Sequence, residues 1–310
     1  MPRKSDIRAK SRLDGILSND LQSVLRWAFV VVYLVMVGTT IVTAIPFVFR
    51  SAIEWSQMNS VLLLGTLTIL VGVFVHACLA GSVRNAVAFF LIASSLSLVA
   101  EYAGVHWGIP FGSTYHYHED IAPKLFDTIP VFIPLAWIVV AYGPVVLMRR
   151  LGRDSNNQKK RNTKIILCSI GLVSADLFLD PLATSVHAWT WHDDGFYFGI
   201  PLFNFVGWFV VGICIYAPYF HFCERQPKAT DYRKAFYDGC YVATSCGLIV
   251  LAMIAVWLRL RSVIPITATI LTFPPMFACW FIRTIPGSGL RSRIQRSLAA
   301  VPEMSGRNSK

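Results

Sequence analysis

VLLLGTLTILVGVFVHACLA, Val61–Ala80, is a run of twenty residues without a charge. A helix of about 20 apolar residues crosses the roughly 30 Å hydrocarbon core of a bilayer, and this run has that length. Reading outward from it, further apolar runs predict helices at Leu25–Phe49, Ala86–Tyr102, Val131–Met148, Ile165–Leu179, Leu202–Phe222, Tyr237–Leu258 and Val263–Ile282. Pro46 stands near the end of the first, where a break costs least, and Pro181 is expected to stop the fifth. The reading is an all-α, polytopic integral membrane bundle of about eight transmembrane helices. A β-barrel would show short alternating segments instead.

Composition agrees. Charged residues make up 15% of the 310 and hydrophobic ones 55%, with a mean hydropathy of +0.55. Soluble domains carry about 25% charged residues. The net charge of +11 does not point to nucleic acid, because the basic residues fall between and beyond the apolar runs, as membrane topology requires. The seven cysteines lie in or beside apolar runs without the paired spacings of disulfide frameworks or zinc sites. Residues 1–22 read as a basic cytosolic tail, 23–285 as the helical bundle, and 286–310 as a basic, disordered tail.

Charge counting orients the bundle. Arg3, Lys4, Arg8, Lys10 and Arg12 precede the first helix, and Arg149, Arg150, Arg153, Lys159, Lys160, Arg161 and Lys164 follow the fourth. Arg225, Lys228, Arg233 and Lys234 follow the sixth, whereas the alternate loops hold little besides Arg50, Lys124, Arg259 and Arg261. Eight helices with both termini cytoplasmic satisfy the positive-inside rule at each step. The chain is then a multi-pass membrane protein, in the cell membrane if the source is prokaryotic.

Two loops break the hydrophobic pattern and share the non-cytoplasmic side: EYAGVHWGIPFGSTYHYHED, Glu101–Asp120, and ADLFLDPLATSVHAWTWHDDGFYFGIPLFNF, Ala175–Phe205. Glu101, Asp176 and Asp180 sit at apolar helix ends, where an ionisable group is costly and is a functional candidate. Asp176 and Asp180 are four apart and share a helix face. Two such carboxyl groups in apolar surroundings compete for a proton, and the protonated one can act as a general acid. As purely structural groups they would hydrogen-bond neighbouring helices or cap broken backbone. Trp107, Phe111, Tyr115, Tyr117, Trp137, Trp189, Trp191, Tyr197, Phe198, Phe203, Phe205 and Trp208 crowd the same level. An interfacial aromatic belt produces this enrichment, and so does a pocket whose ring faces shelter a cation. His116 and His118, with remote His187 and His192, have no reinforcing ligand spacing, so no metal is assigned. The Gly/Pro segments Gly108–Pro110 and Gly199–Pro201 suit loops that dip back over a cavity as a lid.

The motifs Glu101-x-x-Gly104, Trp107-Gly108-x-Pro110-Phe111-Gly112 and Tyr115-x-Tyr117, followed by Pro130, Pro134 and Trp137, resemble the carotenoid biosynthesis family of membrane hydratases. That family includes bisanhydrobacterioruberin hydratases and γ-carotene or lycopene 1',2'-hydratases. Asp176-x-x-x-Asp180-Pro181, Trp189-x-Trp191, Gly195-x-Tyr197-x-Gly199-x-Pro201, Asn204-Phe205 and Gly207-Trp208 extend the resemblance over the third to sixth helices. His116, His118 and the basic connector after the fourth helix lie outside it.

The resemblance implies a cofactor-independent hydro-lyase that adds water to a terminal double bond of a long acyclic isoprenoid. Asp176 or Asp180 would donate the proton, with Glu101 as their partner or as the base that orients water. Asn204 and Tyr117 would position water, and Trp107, Phe111, Trp137, Trp189, Trp191, Tyr197 and Trp208 would line the cation site. The implied partners are a carotenoid arriving laterally from the bilayer, water, and neighbouring enzymes of the pathway; nucleic acid is not among them. A protonation-initiated terpenoid cyclase or isomerase, and a proton-coupled transporter, remain open alternatives.

Overall fold

The computed structural model describes residues 54–148 and 158–223, with isolated positions between 24 and 38 and between 254 and 267. The described residues are mostly helical. Helix α1 is Trp55–Ala80, α2 Val83–Trp107, α3 Phe132–Met148, α4 Gln158–Ser185 and α5 Leu202–Pro218, which runs into a π-turn at Tyr219–Cys223. Four of these five, α3 being the exception, are long and apolar enough to cross a membrane. The described positions between 24 and 38 are helical, in agreement with the first expected span. Most of that span, most of the seventh and eighth, and both tails lie outside the described residues, so the count of eight and the orientation are not tested by it.

Local chemistry sets the ends. Ser82 caps α2 by accepting the Asn85 N–H at 3.2 Å, satisfying one of the donors that a helix start leaves open. Gly108, left-handed at φ 71°, ends α2, and its N–H turns back to Gly104. Helix α4 departs from expectation at both ends. It begins at Gln158, inside the charged connector, because a helix can leave the membrane while its backbone bonds continue. It also runs through Pro181 to Ser185. Proline has no N–H to offer the carbonyl four residues earlier, here Leu177. The Tyr197 hydroxyl supplies that bond at 2.8 Å, so the break expected at Pro181 does not occur.

α3 is the centre of the bundle, packing on α1, α2 and α4, while α4 lies along α5 and α2 touches α5. It is apolar all round, as a helix enclosed by others must be. Tyr216 of α5 donates to the Ala141 carbonyl at 2.8 Å, beside Pro144 in α3. Leu64, Leu67, Val71, Leu91 and Val99 face outward, as a lipid-facing surface does.

The two loops are joined by one short ribbon. Strand β1, Tyr115–Tyr117, pairs antiparallel with β4, Trp189–Trp191, in the register Tyr115↔Trp191, His116↔Thr190, Tyr117↔Trp189. Strands β2, Lys124–Leu125, and β3, Ile129–Pro130, form a hairpin before α3. Side chains alternate across a strand. Tyr115, Tyr117 and Trp191 therefore turn in and are buried, while His116 and Thr190 turn out.

Candidate active site

Beneath the ribbon lies a cavity of about 290 Å³. Glu101 of α2, Asp176 and Asp180 of α4, and Asn204 of α5 line it, with Phe111, Tyr115, Tyr117, Trp137, Trp189, Trp191 and Trp208. Parts of the chain more than a hundred residues apart meet here because α2 and α4 end, and α5 begins, at the same level and the ribbon ties their loops together.

Glu101 is buried and surrounded by donors. Its Oε2 accepts from the hydroxyls of Tyr115 and Tyr117, both at 2.5 Å, and its Oε1 accepts from the Trp137 indole N–H at 2.7 Å. Burial first, then the neighbouring Glu101 charge, holds the phenols of Tyr115 and Tyr117 well above the usual tyrosine value. They therefore remain O–H donors across the physiological range. No lysine or arginine forms an ion pair with Glu101 among the described residues; hydrogen bonds alone balance it.

The second carboxyl group is a pair. One amide nitrogen, Nδ2 of Asn204, donates to Asp176 Oδ2 at 2.8 Å and to Asp180 Oδ2 at 2.6 Å. Asp180 Oδ1 accepts from the Trp189 indole at 2.6 Å. Asp176 Oδ1 is buried and has no partner among the described residues, and neither has the indole nitrogen of Trp191. Of the carboxyl oxygens on Glu101, Asp176 and Asp180, only Asp176 Oδ1 is left open.

Aromatic faces make the walls. Trp137 and Trp208 stack at 3.9 Å and 18°, Tyr115 lies 4.7 Å from Trp191, and Tyr117 meets Trp189 edge-on at 5.9 Å. Phe111 is wedged between α2 and α5 by two glycines. A Cβ on Gly104 would sit 2.5 Å from the Phe111 ring, and one on Gly207 would sit 2.8 Å from it.

Most of the residues given a role in the site from the sequence thus converge on one cavity: Glu101, Asp176, Asp180, Phe111, Tyr117, Trp137, Trp189, Trp191, Asn204 and Trp208. Two do not. Trp107 is 67% exposed on the last turn of α2, edge-on to Tyr102. Tyr197 serves the backbone of α4 and packs on Phe198 and Phe205; its phenol is pushed up to about 12 by burial and by the charges of Asp176 and Asp180. Trp55 and Tyr115 line the cavity without having been assigned to it. The alternation of Tyr115-x-Tyr117 was the available signal for Tyr115; Trp55, at the first residue of α1, had none. His116, His187 and His192 are exposed, and among the described residues no group of three His, Cys, Asp or Glu is arranged to hold a metal ion.

The carotenoid biosynthesis protein family matches residues 57–274, which take in the whole cavity except Trp55. The chain belongs to this family. Membership gives it a role in carotenoid metabolism, as a membrane protein with the character of a pathway enzyme and a carotenoid substrate. No match was found among curated proteins or among solved structures.

Proposed function

We propose that this carotenoid biosynthesis protein is a hydratase, adding water across a terminal double bond of a long acyclic carotenoid to give a tertiary alcohol. The observation that carries the proposal is a set of three buried carboxyl groups, without a counter-cation among the described residues, beneath walls of aromatic rings. Asp176 gives its proton to the less substituted alkene carbon, since its Oδ1, alone among the oxygens of the three carboxyl groups, has no competing partner among the described residues. The tertiary cation left behind faces the negative charge of Glu101 and the stacked rings of Trp137 and Trp208. Water adds its oxygen to that carbon, and its spare proton returns to a carboxylate. The atoms sum to alkene plus water, with no change of oxidation state overall, so no redox cofactor is required.

Asn204 and Trp189 act as positioning residues that hold Asp176 and Asp180 together. Excluding bulk water beneath the ribbon lengthens the life of the cation and strengthens each electrostatic contact. The reading takes the chain as multi-pass, with both termini cytoplasmic and the cavity toward the opposite face.

The test is expression in a host that makes acyclic carotenoids, with pigments analysed by mass. The wild type is expected to add one water, and Asp176→Asn and Glu101→Gln are expected to lower the hydrated product sharply. A wild-type product of unchanged mass would instead indicate cyclisation or isomerisation. Full hydration by both variants would overturn the assignment of the acids.

A further inference from the structure

The cavity is too small for the substrate proposed above. Its volume of about 290 Å³ lies at the lower end of the ~300–1,000 Å³ of sites that enclose drug-sized ligands, and a carotenoid is far longer than those. One end can be enclosed; the rest of the chain must lead away. It must do so along an apolar wall, because a polyene has nothing to offer polar groups stripped of water.

Among the described residues the cavity has such a side. It is lined by Trp55 and Leu62 of α1, Phe132 and Val140 of α3, and Leu182 and Ala183 of α4, the last two on the turn that follows Asp180. α1 and α4 each pack along α3 but make no extended contact with one another. Two helices that lean on a third, and not on each other, leave a seam with the third as its floor.

The loop end of this seam is shut. Trp55 is buried against Ile121, Val186 and Ala188. One helical turn further on, Asn59 clamps the loop from both sides: its Nδ2 donates to the Asp120 carbonyl at 2.6 Å and its Oδ1 accepts from the Ala122 N–H at 3.1 Å. Leu62 and Ala183 pack against the Trp55 cluster from below and, like Leu182, are only half-buried. Leu62 stands about 10 Å along α1 from Trp55, at 1.5 Å per residue, which is at hydrocarbon depth for a helix that spans.

We infer that the seam between α1 and α4 is the channel through which the isoprenoid chain passes from the cavity into the bilayer, with Leu62, Leu182 and Ala183 as its throat. The inference rests on the hydratase reading for the nature of the chain. In this arrangement the reacting end lies among the acids, the chain leaves through the throat, and the closed roof keeps the aqueous side out. A throat lined by small and aliphatic side chains selects long, slender, unsubstituted chains.

The experiment uses the full-length protein in membranes. Ala183→Trp and Leu62→Trp narrow the throat from opposite walls, and Val99→Trp, on the outward face of α2, is the control. Each is assayed with a long acyclic carotenoid and with a short acyclic terpene bearing the same dimethyl-alkene end. Hydration of the long substrate relative to the short one is expected to fall about tenfold or more in both throat variants, on the scale at which a pocket rejects misfitting groups, with that ratio unchanged in the Val99→Trp control. Equal conversion of the long substrate by wild type and both throat variants, or equal loss of both substrates, would overturn the channel.

A second measurement separates this from the hydratase reading. An Ala183→Cys thiol is expected to react with a lipid-soluble maleimide above the background of native cysteines, and added acyclic carotenoid is expected to protect it. Reaction without protection, or no reaction at all, rejects the channel. Protection in a protein that adds no water to either substrate supports the channel and rejects the hydratase reading alone.

Discussion

The Tyr197 hydroxyl donates to the carbonyl oxygen of Leu177 at 2.8 Å, the acceptor that Pro181 leaves without its helical partner. A residue in the loop after β4 thereby completes the turn of α4 that carries Asp176 and Asp180. Tyr197→Phe leaves a carbonyl unpaired, which costs about 1–3 kcal/mol when the group is buried. A lower thermal midpoint in detergent is the expected result. In a Pro181→Ala background the helix regains its own N–H, so Tyr197→Phe is expected to cost markedly less; equal cost in both backgrounds would separate the two residues.

Glu101 is held by three donors. Glu101→Gln places an amide NH₂ against some of them, so activity is expected to fall by about 10²-fold or more, the scale of losing a preorganised electrostatic contact. Trp137→Phe keeps the ring over Trp208 and removes one donor; a smaller loss than in Glu101→Gln is expected. Steady-state hydration rates for the two variants, compared at matched expression, check the order.

Asn204 joins both aspartates through one nitrogen. Asn204→Leu removes that donor with little change of volume, and conversion is expected to fall by about 10²-fold, as for other positioned proton-transfer groups. Deuterium uptake into the substrate from D₂O reads the same step directly. An Asn204→Leu enzyme that still exchanges deuterium at the wild-type rate would mean that the amide does not serve the acid.

The phenols around the cavity predict an alkaline limit. Tyr197 is raised to about 12, and Tyr115 and Tyr117 are also raised. An unfolded tyrosine loses its proton near pH 10, so above that value the unfolded chain binds fewer protons than the folded one. Stability is therefore complete below about pH 10 and declines as pH rises toward the folded values. Thermal midpoints measured from neutral pH upward are expected to fall in this window, less steeply for Tyr115→Phe with Tyr117→Phe.

Hydropathy made the middles of α1, α2, α3 and α5 legible, because a membrane span must satisfy every backbone group internally and be apolar where lipid touches it. The ends were less so. The first turns of α4 are charged from Gln158 to Lys164, and no hydropathy window marks a helix that continues out of the bilayer. Pro181 was misleading for a different reason: its compensation comes from Tyr197, through a contact that is not local in sequence. In the site, the acids stood out as ionisable groups at apolar helix ends. What alternation alone could not supply was register. The pairing of Tyr115 with Trp191 decides which of the ribbon's aromatics turn inward, while Trp107, the last residue of α2, is exposed.

The same ribbon gives the molecule two addresses for one event. His116 and Thr190 face each other on its outer surface, directly behind the rings that wall the cavity. A spectroscopic probe attached to either would ride on the roof without touching the chemistry beneath it. Binding of substrate beneath the roof would then be readable from the ribbon's outer surface, without a label in the cavity itself.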